Sequence, residues 1–568
     1  MVISQKGHRA FRRMGKWRTV AAFTILLCLT LSHVGCFGEE TPTTYYGKIL
    51  VPRIQEFRWS DGGIPQTFDP AFASAPPDTD AVRALFEGLT DYDPHTLQPV
   101  PGVATRWESS SDNRTWTFYL REDARWSNGE RVTAGDFVRS WERTFRIGPL
   151  APHTELLANL ENSAADSNRG TTNKDSEATP SPSPSTARLG VEALGDHVLR
   201  VRLRRSDPGF PSLVAHPVFR PVKIVEPTQT RRLEPVDLVF NGAFLLAATQ
   251  PDRVLLERAK TYWDGASVSL QRVAFVNSPN AEVALAAYQA GEIDAVTSAA
   301  FEPLALKLLT PYKDFRRSTF GALTYYSFNI SKAPFDDVRV REALAISIDR
   351  ERVSRNDLGG ATEAAGKFLP PQIAGAEPVV AKNDLLEQDV ERARSLLSDA
   401  GFPNGEKFPV IRLLINRNEQ QKIVAQSIAS MWESVLGIKT EIVIKNWDEY
   451  EIALKTSDYD VVRRGVVMQT PDELTNLRLL FPIEPTVGAN TGPNTSSNNP
   501  LPPAAGKSEV TAIESESQAL KELKAMPIYF ASSYSLVKPY VSGFDANVLD
   551  APSLKRTRIN TSWTQQKP

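Results

Sequence analysis

From Val410 to Ile444 the chain alternates strand, helix and strand. An apolar run at Val410–Ile415 is followed by an amphipathic segment, Gln421–Leu436, which Gly437 closes; Ile438–Ile444 then sets apolar and charged residues in turn. A helix lying between two such strands returns the chain to one sheet, so this stretch commits its part of the molecule to an α/β layer. A second patterned stretch, Phe68–Phe145, opens with the extended FDPAFASAPPDTD and passes into AVRALFEGLT, whose Val82, Leu85, Phe86 and Leu89 share a helical face. The strand-like TWTFYLR (Thr115–Arg121), the turn WSNGE and a second amphipathic helix follow. Thr133 with Asp136 three residues on reads as an N-cap and an acidic first turn. The buried face is predicted to carry Phe137, Val138, Trp141 and Phe145. At 568 residues the chain can bury large cores and divide into more than one lobe.

Further elements are read as follows. Thr41–Pro65 is a tether leading into a first strand at Lys48–Arg53. Asn162–Ala187 is Ser-, Thr-, Asn- and Pro-rich and is predicted to be a mobile surface loop. His197–Arg204 is a strand, and Asn241-Gly242 is a tight-turn dipeptide. Glu282–Ile293 is a helix stopped at Gly291 that delivers Asp294. A helix from about Asp336 carries Val338, Val340, Leu344, Ile346 and Ile348, with Asp337, Arg339 and Arg341 assigned to helix-end and surface ion pairs. Glu387–Gly401 is a helix with a glycine C-cap, and Trp447 falls in a loop. The Pro-, Asn- and Ser-rich tract Pro485–Ser508 leaves room for one helix, near Ile513–Leu523, before two strands at Met526–Phe530 and Leu536–Tyr540.

The amino terminus is a targeting segment. Residues 1–35 hold Lys6, Arg9, Arg12, Arg13, Lys16 and Arg18 and no acid, followed by an apolar run, Val20–Leu31, of signal-peptide length. Of the two cysteines, Cys28 lies inside that segment, so a chain starting at Cys36 forms no internal disulfide. Losing the six cations takes the formal charge from −2 to −8, and a mildly acidic surface without a basic patch argues against a nucleic-acid partner. No phosphate loop, H-E-x-x-H or G-x-S-x-G motif is present, and His95, His153, His197 and His216 lie at no metal-helix spacing. No catalytic residue, metal or cofactor is assigned.

The ordered motifs L-F-E-G-L (Leu85–Leu89), P-G-V-A (Pro101–Ala104), W-T-F-Y-L-R (Trp116–Arg121), W-S-N-G (Trp126–Gly129) and V-T-A-x-D-F-V-x-S-W (Val132–Trp141) resemble bacterial extracellular solute-binding proteins of family 5. Those are the oligopeptide- and dipeptide-binding components of ABC importers. Phe210–Pro221, Phe240–Leu246 and Thr324–Arg341 match further signatures of that family. His33-Val34-Gly35-Cys36 resembles a lipobox, with His33 where the pattern takes leucine; lipidation of Cys36 would anchor the protein to the membrane, and plain cleavage nearby is the alternative. The resemblance implies a type II periplasmic-binding-protein clamshell of the large peptide-binding class with an extra α+β subdomain. Its expected division is signal peptide 1–35, tether 36–47, lobe I 48–90 with 213–320 and 528–568, subdomain 91–212, and lobe II 321–527. The expected mode of action is capture of an oligopeptide by a monomer through main-chain pairing and terminal salt bridges, then delivery to a permease. A different solute (a modified peptide, opine, sugar or metal chelate), a secreted hydrolase, and a degenerate structural or signalling member are the alternatives.

Residue by residue, the resemblance brings eight positions to the ligand. Asp78 aligns with an acidic residue near the ligand, or else caps a helix. His153 replaces a pocket tyrosine, or lies on the surface. Alternation sends one of Tyr325 and Tyr326 to the cleft and the other to a core. Trp447 and Tyr529 are the aromatic candidates, with packing as the alternative. Arg463 matches a ligand-contacting arginine, and Gln469 stands where relatives place the aspartate that pairs with the peptide α-amino group. A neutral amide supplies no countercharge there, and Asp472 is the nearest substitute.

Overall fold

A computed structural model describes residues 45–163, 188–373, 386–482 and 512–564. The targeting segment, Cys36, nearly all of the 162–187 insertion and the 485–508 tract lie outside the described residues. One eleven-stranded sheet runs through both lobes of the clamshell. In one lobe the strand Glu56–Asp61 lies parallel to both Arg272–Val276 and Ala295–Thr297, with the hairpin Phe244–Gln250/Arg253–Arg258 at the edge. In the other, Ile411–Asn416 lies parallel to Thr440–Lys445 and to Val461–Val467.

Two long antiparallel strands, Phe315–Phe328 and Ala525–Val537, join these halves. Their pairing slips between Thr319 and Leu323. There Gly321 donates its amide to Val548 O (2.7 Å) and accepts the Met468 amide (2.9 Å). A bulge at the middle of a shared ribbon is where a sheet bends most readily. Each lobe keeps its own apolar core, one around Phe57, Trp59 and Phe275, the other around Phe328, Leu344 and Trp432.

The extra subdomain is a four-stranded antiparallel sheet (Ala104–Ser109, Thr115–Leu120, Val198–Arg202, Val191–Ala193) under the helix Ala134–Ile147. Asp136 accepts hydrogen bonds from the Thr133 amide (2.9 Å) and from the Trp126 indole (3.2 Å), fixing the start of this helix as its sequence predicts. Phe137 and Trp141 are buried, and Val138 and Phe145 pack against the same core. Phe118, Trp126 and Leu199 belong to one cluster with Phe57 and Phe275, so the subdomain shares its core with the first lobe.

Several expectations need correction. The first strand is Glu56–Asp61 rather than Lys48–Arg53; the latter run makes one outside backbone bond, Lys48 N to Gln289 O, and Pro52 has no N–H for a ladder. Asn241-Gly242 is no hairpin turn. Asn241 pairs with both backbone groups of Glu87 (3.1 and 3.0 Å), and a Cβ on Gly242 would fall 2.6 Å from Ala84 O, so the glycine permits a close approach to the helix Asp78–Leu85. Arg341 is buried and donates to the carbonyls of Phe335, Asp336, Glu522 and Leu523 instead of making a surface ion pair. A second helix, Glu473–Leu480, precedes the anticipated one, observed at Glu516–Glu522. The two C-terminal strands are one, Ala525–Val537.

Candidate functional site

The strands that leave the hinge into the second lobe carry four of the eight candidate residues. Tyr326 pairs with Arg463 across neighbouring strands, which places both side chains on one face. Tyr325 and Arg464 pair on the other. Both tyrosines are buried. Tyr326 joins the core with Phe328 and Trp432, while Tyr325 joins a separate cluster with Tyr92 and Leu97 of the subdomain and Ala215 and Val548 of the other lobe. The two side chains take opposite faces, but both end in apolar clusters rather than one in a cleft, and the cluster of Tyr325 is the one that spans the lobes.

Arg463 is half-buried; its Nη2 lies 3.4 Å from Thr324 Oγ1, and its Nε makes no hydrogen bond. Gly465, two residues on, leaves the guanidinium room to lie back along the strand: a Cβ there would sit 3.1 Å from Nη2. The Tyr326 hydroxyl likewise has no partner, and burial followed by the nearby Tyr529 pushes its ionisation up. Gln421 donates to the Tyr529 hydroxyl (3.1 Å) while its own Oε1 stays unpaired. The Tyr450 hydroxyl donates to the Arg463 carbonyl, and burial pushes that phenol up to about 12.

Trp447 stacks on Tyr450 with centroids 5.6 Å apart. It is not in a loop but opens the helix Trp447–Lys455, whose N-cap Asn446 accepts the Glu449 amide. It keeps 38 % of its surface exposed, unusual for a tryptophan without a partner to cover it. Gln469 is half-buried one residue beyond the Met468 amide that binds the hinge, so it stands at the bend itself. Asp472, its possible substitute, is buried as the N-cap of Glu473–Leu480 and accepts the Thr475 amide (2.7 Å).

The remaining two candidates lie apart from this group. Asp78 opens its helix and accepts the Gln66 amide (2.7 Å). His153 is buried, with Nε2 2.9 Å from Ser74 O and its ring edge-on to His216 at 4.8 Å. Ser74 and Asp78 lie four residues apart, so both candidates are fastened to the same stretch of chain.

Gln421, Tyr450 and Thr324 were not singled out by sequence. Gln421 had a usable signal: it precedes Val424, Ala425 and Ile428 at the spacing of a buried helical face, and a polar residue on such a face needs a partner. Among the described residues no group of three or more His, Cys, Asp or Glu is arranged to hold a metal, and no helix is long and apolar enough to cross a membrane.

Comparison with known proteins agrees with this architecture. The periplasmic murein peptide-binding protein MppA of Escherichia coli is 32% identical over 540 residues, covering 92% of this chain and 95% of MppA. The structure of MppA in its unliganded open form superimposes with a TM-score of 0.71 at 29% identity, covering 90% of this chain and 98% of that one. Haemophilus influenzae OppA in complex with the peptide RPPGFSPFR gives 0.58 at 27% identity, over 90% and 100% of the respective chains. Residues 98–483 match the family described as bacterial extracellular solute-binding proteins, family 5 Middle. With the hinged double lobe, these likenesses establish that the chain belongs to the bacterial extracellular solute-binding proteins of family 5.

Proposed function

We propose that the chain is the substrate-binding lipoprotein of a peptide-type ABC importer: it captures oligopeptides between its lobes, delivers them to a permease, and changes no covalent bond. We place the lobes at 48–90 with 213–320 and 528–568, and at 321–527, with 91–212 as the subdomain and Cys36 as the lipidated first residue of an extracytoplasmic protein. The observation that supports this reading most directly is Arg463, a half-buried guanidinium beside the hinge whose Nε is unspent. A peptide carboxylate or main-chain carbonyl is the natural acceptor for it, and enclosure between the lobes strengthens such a contact. Tyr325, Tyr326, Trp447 and Gln469 complete the second lobe's side of the site in this proposal, with Tyr529 and Asp78 from the first lobe's segments and His153 from the subdomain. The relatives named as murein-peptide and oligopeptide binders share the same architecture.

Gln469 supports a second reading within the same fold. A site without a carboxylate for the α-amino group favours a solute lacking a free amino terminus, such as a modified peptide. Mass spectrometry of material released on denaturing protein purified from its own envelope decides between them. Free peptides support the first reading, blocked peptides or non-peptide solutes the second, and a hydrolysis product of an added peptide would refute both.

Arg463→Ala is expected to weaken peptide binding by about 10–100-fold while leaving the melting temperature of the unliganded protein within about 2 °C. Titration calorimetry beside a thermal melt checks this. A large fall in the melting temperature of the unliganded protein would make the arginine structural.

A further inference from the structure

A cavity of about 550 Å³, counting its open mouth, lies within the first lobe, where Ala84–Pro94 meets Gly242–Phe244 and the C-terminal loop Ala551–Lys555. It is separate from the Arg463 group. Arg220, 2 % exposed, enters it with two of its five N–H donors in use. Its Nη1 donates to the carbonyls of Arg83 (3.1 Å) and Phe86, while Nε and Nη2 make no hydrogen bond. The nearest carboxylate, Asp91, stands 3.6 Å from Nη2.

Those two nitrogens form one edge of the guanidinium, with parallel N–H bonds spaced to match the two oxygens of a carboxylate. The same edge is filled elsewhere in this molecule: Arg58 presents Nε at 3.1 Å and Nη2 at 2.7 Å to the two oxygens of Asp294. Two more polar atoms on the cavity wall lack partners, the Arg83 Nε and the Tyr92 hydroxyl.

The acids on the wall do not fill this role. Glu87 is occupied by the Tyr262 hydroxyl and the Trp263 indole (2.6 Å), and Lys555 is held by Asp264 (2.9 Å). Asp80 gives one oxygen to Arg83 (2.9 Å). Burial, and then the adjacent Asp61, raise its pKa. Asp91 faces the free edge of Arg220 but at 3.6 Å is beyond hydrogen-bond reach, so the donors on that edge remain unsatisfied.

We propose that this cavity is a binding site for a small free carboxylate, taken edge-on by Arg220 and supported by Arg83 and Tyr92. The cavity adjoins the cluster that holds Tyr325 through Tyr92, and the two assignments are told apart by their variants, Arg220→Gln for this cavity and Arg463→Ala for the peptide site. The probe is sodium acetate at pH 7.5 against sodium chloride of equal ionic strength. The expected result is a saturable rise in melting temperature with acetate, abolished in Arg220→Gln, and electron density for acetate on Nε and Nη2 in soaked crystals. If Arg220→Gln does not fold, Tyr92→Phe is expected to weaken acetate binding by about 3–10-fold, the loss of one hydrogen bond. Ordered water alone on Arg220 in the soaked crystals, or an acetate effect unchanged in both variants, would overturn the proposal.

Discussion

Arg143→Ala is expected to cost about 3–5 kcal/mol, the penalty for stranding a buried charge, and to lower the first lobe's melting transition by roughly 10 °C. Arg143 and Asp69 are 1 % and 0 % exposed and meet through two parallel hydrogen bonds of 3.0 and 2.6 Å. The guanidinium also donates to Gln229 O (2.7 Å) and Arg231 O (2.8 Å), and the carboxylate accepts the amides of Ala71 (3.1 Å) and Leu233 (2.9 Å). One ion pair thus ties the subdomain helix Ala134–Ile147 to two loops that carry no ladder of their own. Without Arg143, Asp69 keeps its two amide bonds but loses its only full countercharge among the described residues. Arg143→Lys should recover little, since an ammonium cannot span both carboxylate oxygens and two carbonyls in one plane. Arg143→Met combined with Asp69→Asn should restore part of the loss, because it removes both charges together. Differential scanning calorimetry of the three variants checks the order; an alanine variant that melts with the wild type would show that the pair adds nothing beyond packing.

The sequence made the periodic elements legible and left the hinge hidden. Val82, Leu85, Phe86 and Leu89 are all fully buried although the helix stops at Leu85, because burial follows the apolar pattern even after the backbone turns extended. The helices Ala134–Ile147 and Glu419–Leu436 appear where amphipathicity and caps put them. The joining strands did not, for a physical reason: Arg316–Thr319 and Ala531–Ser535 are polar or small, and the ladder between them is partly solvated, so no apolar alternation marks it as sheet. The site had the same difficulty. Arg463 could be carried over from a motif, whereas Gln421 meets Tyr529 and Tyr450 meets the Arg463 carbonyl through contacts that no local pattern marks.

The second large effect is one of pH, and it arises where the subdomain's return strand meets the second lobe. Asp207, on the segment after Val198–Arg202, and Asp472, the cap of Glu473–Leu480, are both buried carboxyls facing one another. Gly209 makes the approach possible, since a Cβ there would overlap Asp472 Oδ1. The charged group facing the pair is Arg478, 3.5 Å from Asp207 Oδ2; Glu473 is engaged with the Glu516 amide (3.2 Å). Burial first, and then the charge of Asp472, raise the Asp207 carboxyl to about 8 despite Arg478, and burial raises Asp472 as well. A folded-state value above the unfolded one means that the native protein binds the extra proton, so this contribution is complete below about pH 4 and is lost as pH rises toward 8. Asp207→Asn fixes the site neutral. It is expected to melt with the wild type at pH 4 and several degrees above it at pH 8.5, a gap on the order of a few kcal/mol. Melting curves of both proteins across that range, at constant ionic strength, measure it. Because Asp207 belongs to the subdomain and Asp472 to the second lobe, the same substitution should also flatten the pH dependence of peptide affinity over this interval. A gap that does not widen with pH would mean that the two carboxyls share no proton in the folded protein.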